Sequence, residues 1–430
     1  MNSALRVFKF GGASIKDAER IKNVCSIIQQ HGEGPLLVVI SAMGKTTNTL
    51  EEVARSYARG GEETLALFEA VKQAHYAVIS DLFGGDHEIF SLVNDLFVEV
   101  EWVLEEEPQD PYDYLYDQIV SIGELVSTRI VNAYLQEQGI KSEWLDARDV
   151  ILTDNIFREG WVQWTETQQR AQQHVAPMLA DGKMVITQGF IGSTSENFTT
   201  TLGREGSDYS AAIFSYCLDA ESMTIWKDVP GVLTADPRKF ENVTKLERLS
   251  YREAIEMTYY GAKVIHPKTI KPLQNKNIPL LVKSFIEPAG TGTTVSGEVE
   301  DNYPPMVAIE SNQALVQIRT RDFSFVAEHH MSMLFKEIAD LRLQVTMMQN
   351  TAISFSVCVY DQDDKVARFK ERIEKDFQVT VEPGLELITV RHFQNEVLQR
   401  LREGKIVLME ERVRQTVQLV VKDVPVLERK

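Results

Sequence analysis

Cysteine is scarce in this 430-residue chain: Cys25, Cys217 and Cys358 are its three, far apart and odd in number. That excludes a disulfide framework and a cluster of thiolate metal ligands, and makes a reducing cytoplasm the expected setting. Long apolar runs are also missing, since none approaches the roughly 18–20 residues a membrane helix requires. The opening "MNSALRVFKFGG" enters an apparent strand at once, so no signal peptide is expected. Positive charge is outweighed, with 45 Lys and Arg against 63 Asp and Glu and a net charge of −18. Nucleic acid is therefore not an expected partner, because a polyphosphate calls for clustered cations. A small anionic substrate would need local basic residues acting against that global field.

Two common nucleotide signatures are absent as well. "PLLVVISAMGKTTNTL" ends a buried run in Gly44-Lys45-Thr46, as a P-loop does, but Val39 stands where the P-loop needs its first glycine. "FKFGGASIKD" does not spell G-x-G-x-x-G.

What is present reads as a soluble globular chain of two or three units, with 43% hydrophobic and 25% charged residues. Over the first 285 or so positions, short apolar runs alternate with stretches of helical period. "RVFKF", "PLLVVIS", "KMVITQGFIG", "SMTIWKD" and "IPLLVKSF" are strand candidates. "SIKDAERIKNVCSIIQQ" places Ile15, Ala18, Ile21, Val24 and Ile28 on one helical face, with Ser14 and Asp17 at capping-box spacing and Gly32 as its stop. A largely helical stretch runs from Thr47 to Glu137. Such alternation predicts an α/β body with a mainly parallel sheet covered on both faces, and ligands at the carboxyl ends of its strands. Gly, Thr and Pro break the pattern over Glu287–Pro305, which we read as a boundary. Beyond it the order changes to a βαββα unit and a second, shorter unit, "LELITVRH" to "RQTVQLVVK". Two small α+β units in tandem suit ligand sensing.

Several segments could carry chemistry. Lys9 lies near the end of the first strand, before Gly11-Gly12 and a helix start. Glycines admit a close ligand, helix amides hold anions, and Lys9 could neutralise phosphate oxygens; an ordinary strand–turn–helix corner has the same sequence. In "TTLGREGSDYSAA", Gly203 and Gly206 bracket Arg204, and Ser207 and Asp208 lead into a helix. An arginine fork, free amides and a carboxylate suit a carboxylate or phosphate ligand, although the helix dipole alone favours a first-turn Asp. "WKDVPGVLTADPRKF" sets Asp228, Asp236 and Arg238 at the ligand edge of the sheet, and "YGAKVIHPKTIKPL" puts Lys263 near a helix end. Glu124 stands on the otherwise apolar "IVSIGELVSTRI", where an acid needs a reason. Each has a plainer account too: loop aspartates cap helices, and lone glutamates face solvent. No protein metal-ligand set is assigned.

Taken together, KFGG, SAMGKTTN, GELVS, TLGREGSDYSAA, WKDVPGVLTADPR and GAKVIHPKT occur in one order along the chain. In that order it resembles, nearly end to end, the aspartate kinases of the amino-acid kinase family. The resemblance implies a three-layer α/β sandwich over residues 1–295, followed by two α+β, ferredoxin-like ACT units at 305–378 and 379–430. It implies transfer of the ATP γ-phosphoryl group to L-aspartate, giving 4-phospho-L-aspartate and ADP, the entry to lysine, threonine and methionine. Thr47 would lie near aspartate, Glu124 would hold its α-amino group and Arg204 its α-carboxylate, with Ser207 assisting. Lys9 would stabilise the moving phosphoryl group, and Asp208 would organise the phosphate-side lysines. Gly11, Gly12, Lys227, Asp228, Asp236, Arg238 and Lys263 would line the ATP site beside Lys9. Mg²⁺ would ride mainly on the ATP phosphates. A carboxylate nucleophile is already ionised near neutrality, so positioning and charge neutralisation suffice without a strong base.

The ACT pair further implies a homodimer and an amino-acid effector, lysine or threonine. With no G-x-G-x-x-G domain before Lys430, the form is read as monofunctional. Departures from the family pattern are Ala13 for a common Thr, Glu205 for Gly, and Lys227 and Leu233 for a Thr and a Tyr at the nucleotide loop. Thr346 stands at the acid position of lysine-sensitive relatives, and Thr351 where Ser is common. The alternatives are another amino-acid kinase with a different acceptor, and a catalytically silent amino-acid sensor.

Overall fold

A computed structural model describes residues 4–261, 265–297, 302–322 and 324–424. The chain divides into two compact units. The first comprises Met1–Val232, Lys245–Ile255 and Val264–Glu300, and the second Leu233–Thr244, Glu256–Lys263 and Asp301–Lys430.

The first unit opens with β1 (Arg6–Phe10), a 3₁₀ turn at Gly12–Ser14, α1 (Ala18–His31) and β2 (Leu36–Ile40). Asp17, rather than Ser14, caps α1: its side chain accepts from the Arg20 amide at 2.9 Å, and the Gly32 amide closes the far end on Ile28. The long helical stretch resolves into α2 (Thr46–Ala58), α3 (Thr64–Phe83), α4 (Ile89–Glu105), α5 (Tyr112–Val120) and α6 (Ile122–Glu137). Then come β3 (Ser142–Leu145), α7 (Trp164–Ala180), β4 (Met184–Gln188), β5 (Ile191–Ser193), β6 (Thr199–Thr201), α8 (Gly206–Cys217) and β7 (Ser222–Lys227). β8 (Arg248–Ser250), α9 (Tyr251–Tyr259), α10 (Pro267–Asn275), β9 (Leu280–Ser284) and β10 (Thr293–Ser296) follow.

Eight strands form one sheet in the order β3-β4-β2-β1-β7-β9-β10-β8, in which only the β9–β10 pairing is antiparallel. β2, "LLVVI", is buried throughout, as a central parallel strand covered on both faces should be. Phe8, Phe10, Val38, Ile40 and Ile186 join α1–α6 in one core. Alternate positions point to the other face, where Lys9 meets α8.

"KMVITQGFIG" is two strands rather than one. The chain turns at Gly189-Phe190, where Phe190 takes φ +72°, and β5 leaves the main sheet to pair with β6. Inside the stretch read as a boundary, β10 joins the sheet between β9 and the edge strand β8; four residues are too few to show a period.

The second unit holds β11 (Met306–Thr320), α11 (Glu328–Asp340), β12 (Val345–Asn350), β13 (Ser354–Tyr360), α12 (Lys365–Ile373), β14 (Phe377–Arg391), α13 (Asn395–Arg402), β15 (Lys405–Val413) and β16 (Thr416–Asp423). All six strands make a single antiparallel sheet, β12-β13-β11-β14-β16-β15. β14 runs unbroken through residues 378 and 379, where the sequence suggested a division. The two halves thus share long central strands, β11 against β14.

Candidate active site

β1, β2 and β7 are parallel neighbours, so Phe10, Ile40 and Lys227 end at the same edge of the sheet. Two turns meet there at backbone distance. The Gly44 amide donates to the Gly12 carbonyl at 3.0 Å, and a Cβ on Gly12 would lie 2.7 Å from the Ala42 carbonyl oxygen. Only glycine permits that approach. Gly11 sits beside the Lys9 ammonium, 3.4 Å from where its own Cβ would be.

Lys9 is 7% exposed and pairs with Asp208, 1% exposed, at 2.6 Å. The other Asp208 oxygen faces Lys227 at 3.5 Å, and Lys227 reaches Glu205 at 4.0 Å. Burial pushes the Asp208 carboxyl up, but Lys9 and then Lys227 override it and hold it low, at about 2. A buried carboxylate therefore bridges two ammonium groups from adjacent strands, and Asp228 follows Lys227 in the next turn.

Glu124 lies in the first turn of α6 and is 2% exposed. Its Oε1 accepts from the Ala42 amide at 3.3 Å, while Oε2 is buried without a partner among the described residues. Burial raises its pKa to about 8, against the opposing pull of the Ala42 amide and of Lys9. Such a carboxyl lacks a cation. Thr47, in the first turn of the neighbouring α2, is half-buried.

Asp117 fixes the approach to Arg204. Its Oδ2 accepts from the Thr201 and Arg158 amides at 2.9 and 2.8 Å, and its Oδ1 accepts from the Thr201 hydroxyl at 2.7 Å. This buried strut pins the end of β6 three residues before Arg204, which is itself exposed. Ser207 packs so closely on Gly189 that a Cβ there would fall 2.5 Å from the serine Cβ. Asp117 and the Ala42 amide escaped the sequence reading: the first looks like any acid on a helix, and every residue carries an amide.

Asp236 and Arg238 belong to the second unit, where the arginine binds the aspartate through 2.8 and 3.0 Å hydrogen bonds. Lys263 lies outside the described residues. Among the described residues no three His, Cys, Asp or Glu side chains group as a metal site.

This edge holds a buried and a partly buried lysine around a buried aspartate, glycine-lined turns and a buried acid awaiting a cation. Residues 4–284 match the model of the amino acid kinase family. The lysine-sensitive aspartokinase 3 of Escherichia coli is 32% identical over 363 residues, covering 80% of this chain and 78% of that protein. The chain belongs to the amino acid kinase family, among the aspartokinases. A chloroplastic bifunctional aspartokinase/homoserine dehydrogenase of Arabidopsis thaliana is 31% identical over 392 residues. The chain spans 42% of the length of that relative. Among solved structures, E. coli aspartokinase III in complex with aspartate and ADP aligns over 97% of this chain and 96% of its own, with a TM-score of 0.83 and 27% identity. The same enzyme in complex with lysine and aspartate aligns with a TM-score of 0.81 and 26% identity. The fold is thus the amino acid kinase α/β sandwich followed by an antiparallel sheet of the ACT kind. Among the described residues no helix is long and apolar enough to cross a membrane.

Proposed function

We propose that this chain transfers the γ-phosphoryl group of ATP to the side-chain carboxylate of L-aspartate. A carboxylate oxygen attacks the γ-phosphorus, the bond to the β–γ bridging oxygen breaks, and ADP leaves with its electrons. The observation carrying this reading is the buried, half-partnered Glu124 at the same sheet edge as the Lys9–Asp208–Lys227 cluster. One feature calls for an ammonium group, the other for phosphate. The aspartate and ADP bound by the E. coli relative supply both.

The roles follow from charge and placement. Glu124 takes the substrate α-ammonium, Arg204 its α-carboxylate, and Thr47 and Ser207 complete the pocket. Lys9 neutralises the phosphoryl oxygens in the transition state, with the Gly11–Gly12 turn close to the phosphates. Asp208 holds Lys9 and Lys227 in place rather than acting as a base. Lys227 and Asp228, with Asp236, Arg238 and Lys263, are assigned to the nucleotide. Both Asp208 oxygens face ammonium groups, so Mg²⁺ would be carried mainly by the ATP phosphates.

We assign the catalytic part to residues 1–295 and two ACT-like halves to 305–378 and 379–430, acting as a cytoplasmic homodimer at the head of lysine, threonine and methionine synthesis. Amino-acid feedback through the second unit is supported by the lysine bound to the E. coli enzyme. Thr346 already donates to Gln313 at 2.8 Å, so an effector would meet a neutral hydroxyl there in place of an acid.

The test is ADP release with Mg-ATP and L-aspartate, trapping the acyl phosphate with hydroxylamine, and L-glutamate in parallel. Aspartate-dependent hydroxamate is expected. Hydroxamate with glutamate alone would reassign the acceptor, and none with either would leave an amino-acid sensor.

A further inference from the structure

A second polar cavity lies in the first unit, between the start of α4, the later turns of α6 and the edge strand β3. It encloses about 360 Å³, and its lining includes His87, Leu92, Arg129, Asn132, Ser142 and Trp144. Glu124 is on the same helix as Arg129, but five residues correspond to about 140° of rotation, so the two face different ways.

Three groups in this cavity, the Arg129 guanidinium, Asn132 Oδ1 and Ser142 Oγ, have no hydrogen bond or salt bridge among the described residues. The Arg129 guanidinium lies 3.4 Å from the centroid of the Trp144 ring. Burial lowers its pKa, opposed by Asp146, yet that carboxylate is already gripped by Arg148 through bonds of 2.7 to 3.1 Å. Asn132 and Ser142 are each 7% exposed, and Asn132 Oδ1 and Ser142 Oγ have no hydrogen-bond partner there. Neighbouring polar groups are committed elsewhere. Gln136 donates to the Ser142 carbonyl at 2.8 Å, and Trp144 Nε1 donates to Thr128 at 2.9 Å, which fixes the plate beneath the arginine. Of the acids lining the cavity, Glu143 is paired with Lys183, and Glu88 stands at the start of α4.

We propose that this cavity binds a small carboxylate that also carries an N–H or O–H donor, an α-amino or α-hydroxy acid. The carboxylate answers Arg129, whose stacked guanidinium suits a planar anion. The donor answers Asn132 Oδ1, and Ser142 Oγ can donate to either end. Buried polar atoms without partners call for an explanation. Water could occupy both neutral positions but brings no charge for the arginine. The volume is within the range of small-molecule sites.

The experiment is titration calorimetry of the full chain with L-alanine, L-glutamate, L-lactate, acetate and inorganic phosphate, with tryptophan fluorescence as a second readout. An amino or hydroxy acid should bind at least tenfold more tightly than acetate or phosphate. Which of the two binds better identifies the donor. Arg129→Gln and the cavity-filling Asn132→Leu should each weaken binding at least tenfold while leaving basal phosphotransfer unchanged. Ser142→Ala, which removes only a hydroxyl, should weaken it several-fold and guards against misfolding of the larger changes. The proposal fails if no member of the panel binds, if phosphate and acetate bind as well as the others, or if affinity survives in all three variants.

Discussion

Glu124 should release a proton when the amino-acid substrate binds. In the unliganded chain its carboxyl is buried, its Oε2 lacks a partner among the described residues, and its pKa is raised to about 8. At pH 7 roughly nine-tenths of the molecules then carry the proton. An ammonium group docked against Glu124 pulls the pKa back toward the ordinary carboxylate range, so about 0.9 proton should leave per aspartate bound at pH 7. From pH 6 to pH 8 the apparent affinity should rise as the binding-competent anion is populated, by up to about 50-fold. Titration calorimetry in buffers of different ionisation enthalpy reads the proton count directly. Glu124→Gln keeps the shape but cannot ionise, and should both weaken binding and abolish the buffer dependence. Identical heats in all buffers, with a flat pH profile in the unmodified chain, would refute the reasoning.

The same linkage sets a stability trend. A carboxyl raised above its unfolded value of 4.5 leaves folding unpenalised below that pH and destabilises the fold as pH climbs toward 8. A rise from 4.5 to about 8 corresponds to at most roughly 5 kcal/mol.

Lys9→Ala should reduce turnover on the order of 10²-fold or more with an unchanged far-ultraviolet circular dichroism spectrum, as for other preorganised charge stabilisers; wild-type turnover would remove Lys9 from the reaction. Asp208→Asn leaves two ammonium groups without their shared anion, and urea unfolding should show a loss of about 3–5 kcal/mol. Because Asp208 is held at about 2, its contribution is present above its ordinary value of 3.8 and disappears as pH falls through 2, so the variant should lose less stability over that acid range than the unmodified chain. Gly12→Ala forces a methyl against the Ala42 carbonyl and should lower both stability, by about 1–3 kcal/mol, and turnover; an unaffected melting temperature would mean the two turns separate freely. Asp117→Ala strands the Thr201 and Arg158 amides, costing about 1–3 kcal/mol in urea unfolding, and should raise the KM for aspartate more than it lowers kcat.

Legibility in the sequence followed the length of each signal. β2, "LLVVI", is apolar throughout, and β1, β7 and β9, "RVFKF", "SMTIWK" and "LLVKS", are five or six residues with three apolar positions each, long enough to mark them as strand candidates. β3, β6, β8 and β10 are three or four residues, "SEWL", "TTT", "RLS" and "TTVS", held by their neighbours rather than by a pattern of their own. The one-residue break at Ser121 between α5 and α6 leaves no mark either, since its flanks are apolar on both sides. Lys9 and Asp208 are 199 positions apart and meet only because β1 lies beneath α8, so they could be named as candidates but not paired by spacing.

Two departures from the family pattern gain sense only in three dimensions. Glu205 adopts φ +54° at the start of α8, a conformation that favours glycine and costs another residue about 1–2 kcal/mol. That accounts for the glycine common at this position and makes a glutamate there conspicuous. Lys227 stands where relatives often have threonine, and its ammonium lies 4.0 Å from the Glu205 carboxylate and 3.5 Å from Asp208. Read along the chain these are an extra negative charge beside Arg204 and an extra positive charge in a nucleotide loop. In space they are neighbours, and each offsets the field of the other. The pair is half-open to water on the Glu205 side, so its direct attraction is worth only about 0.2–1 kcal/mol. That is too little to offset the backbone strain at Glu205 by itself. Its larger consequence is electrostatic: Glu205 tempers the positive charge that Lys227 adds where phosphates are proposed to bind, while Asp208 keeps that lysine aligned with Lys9.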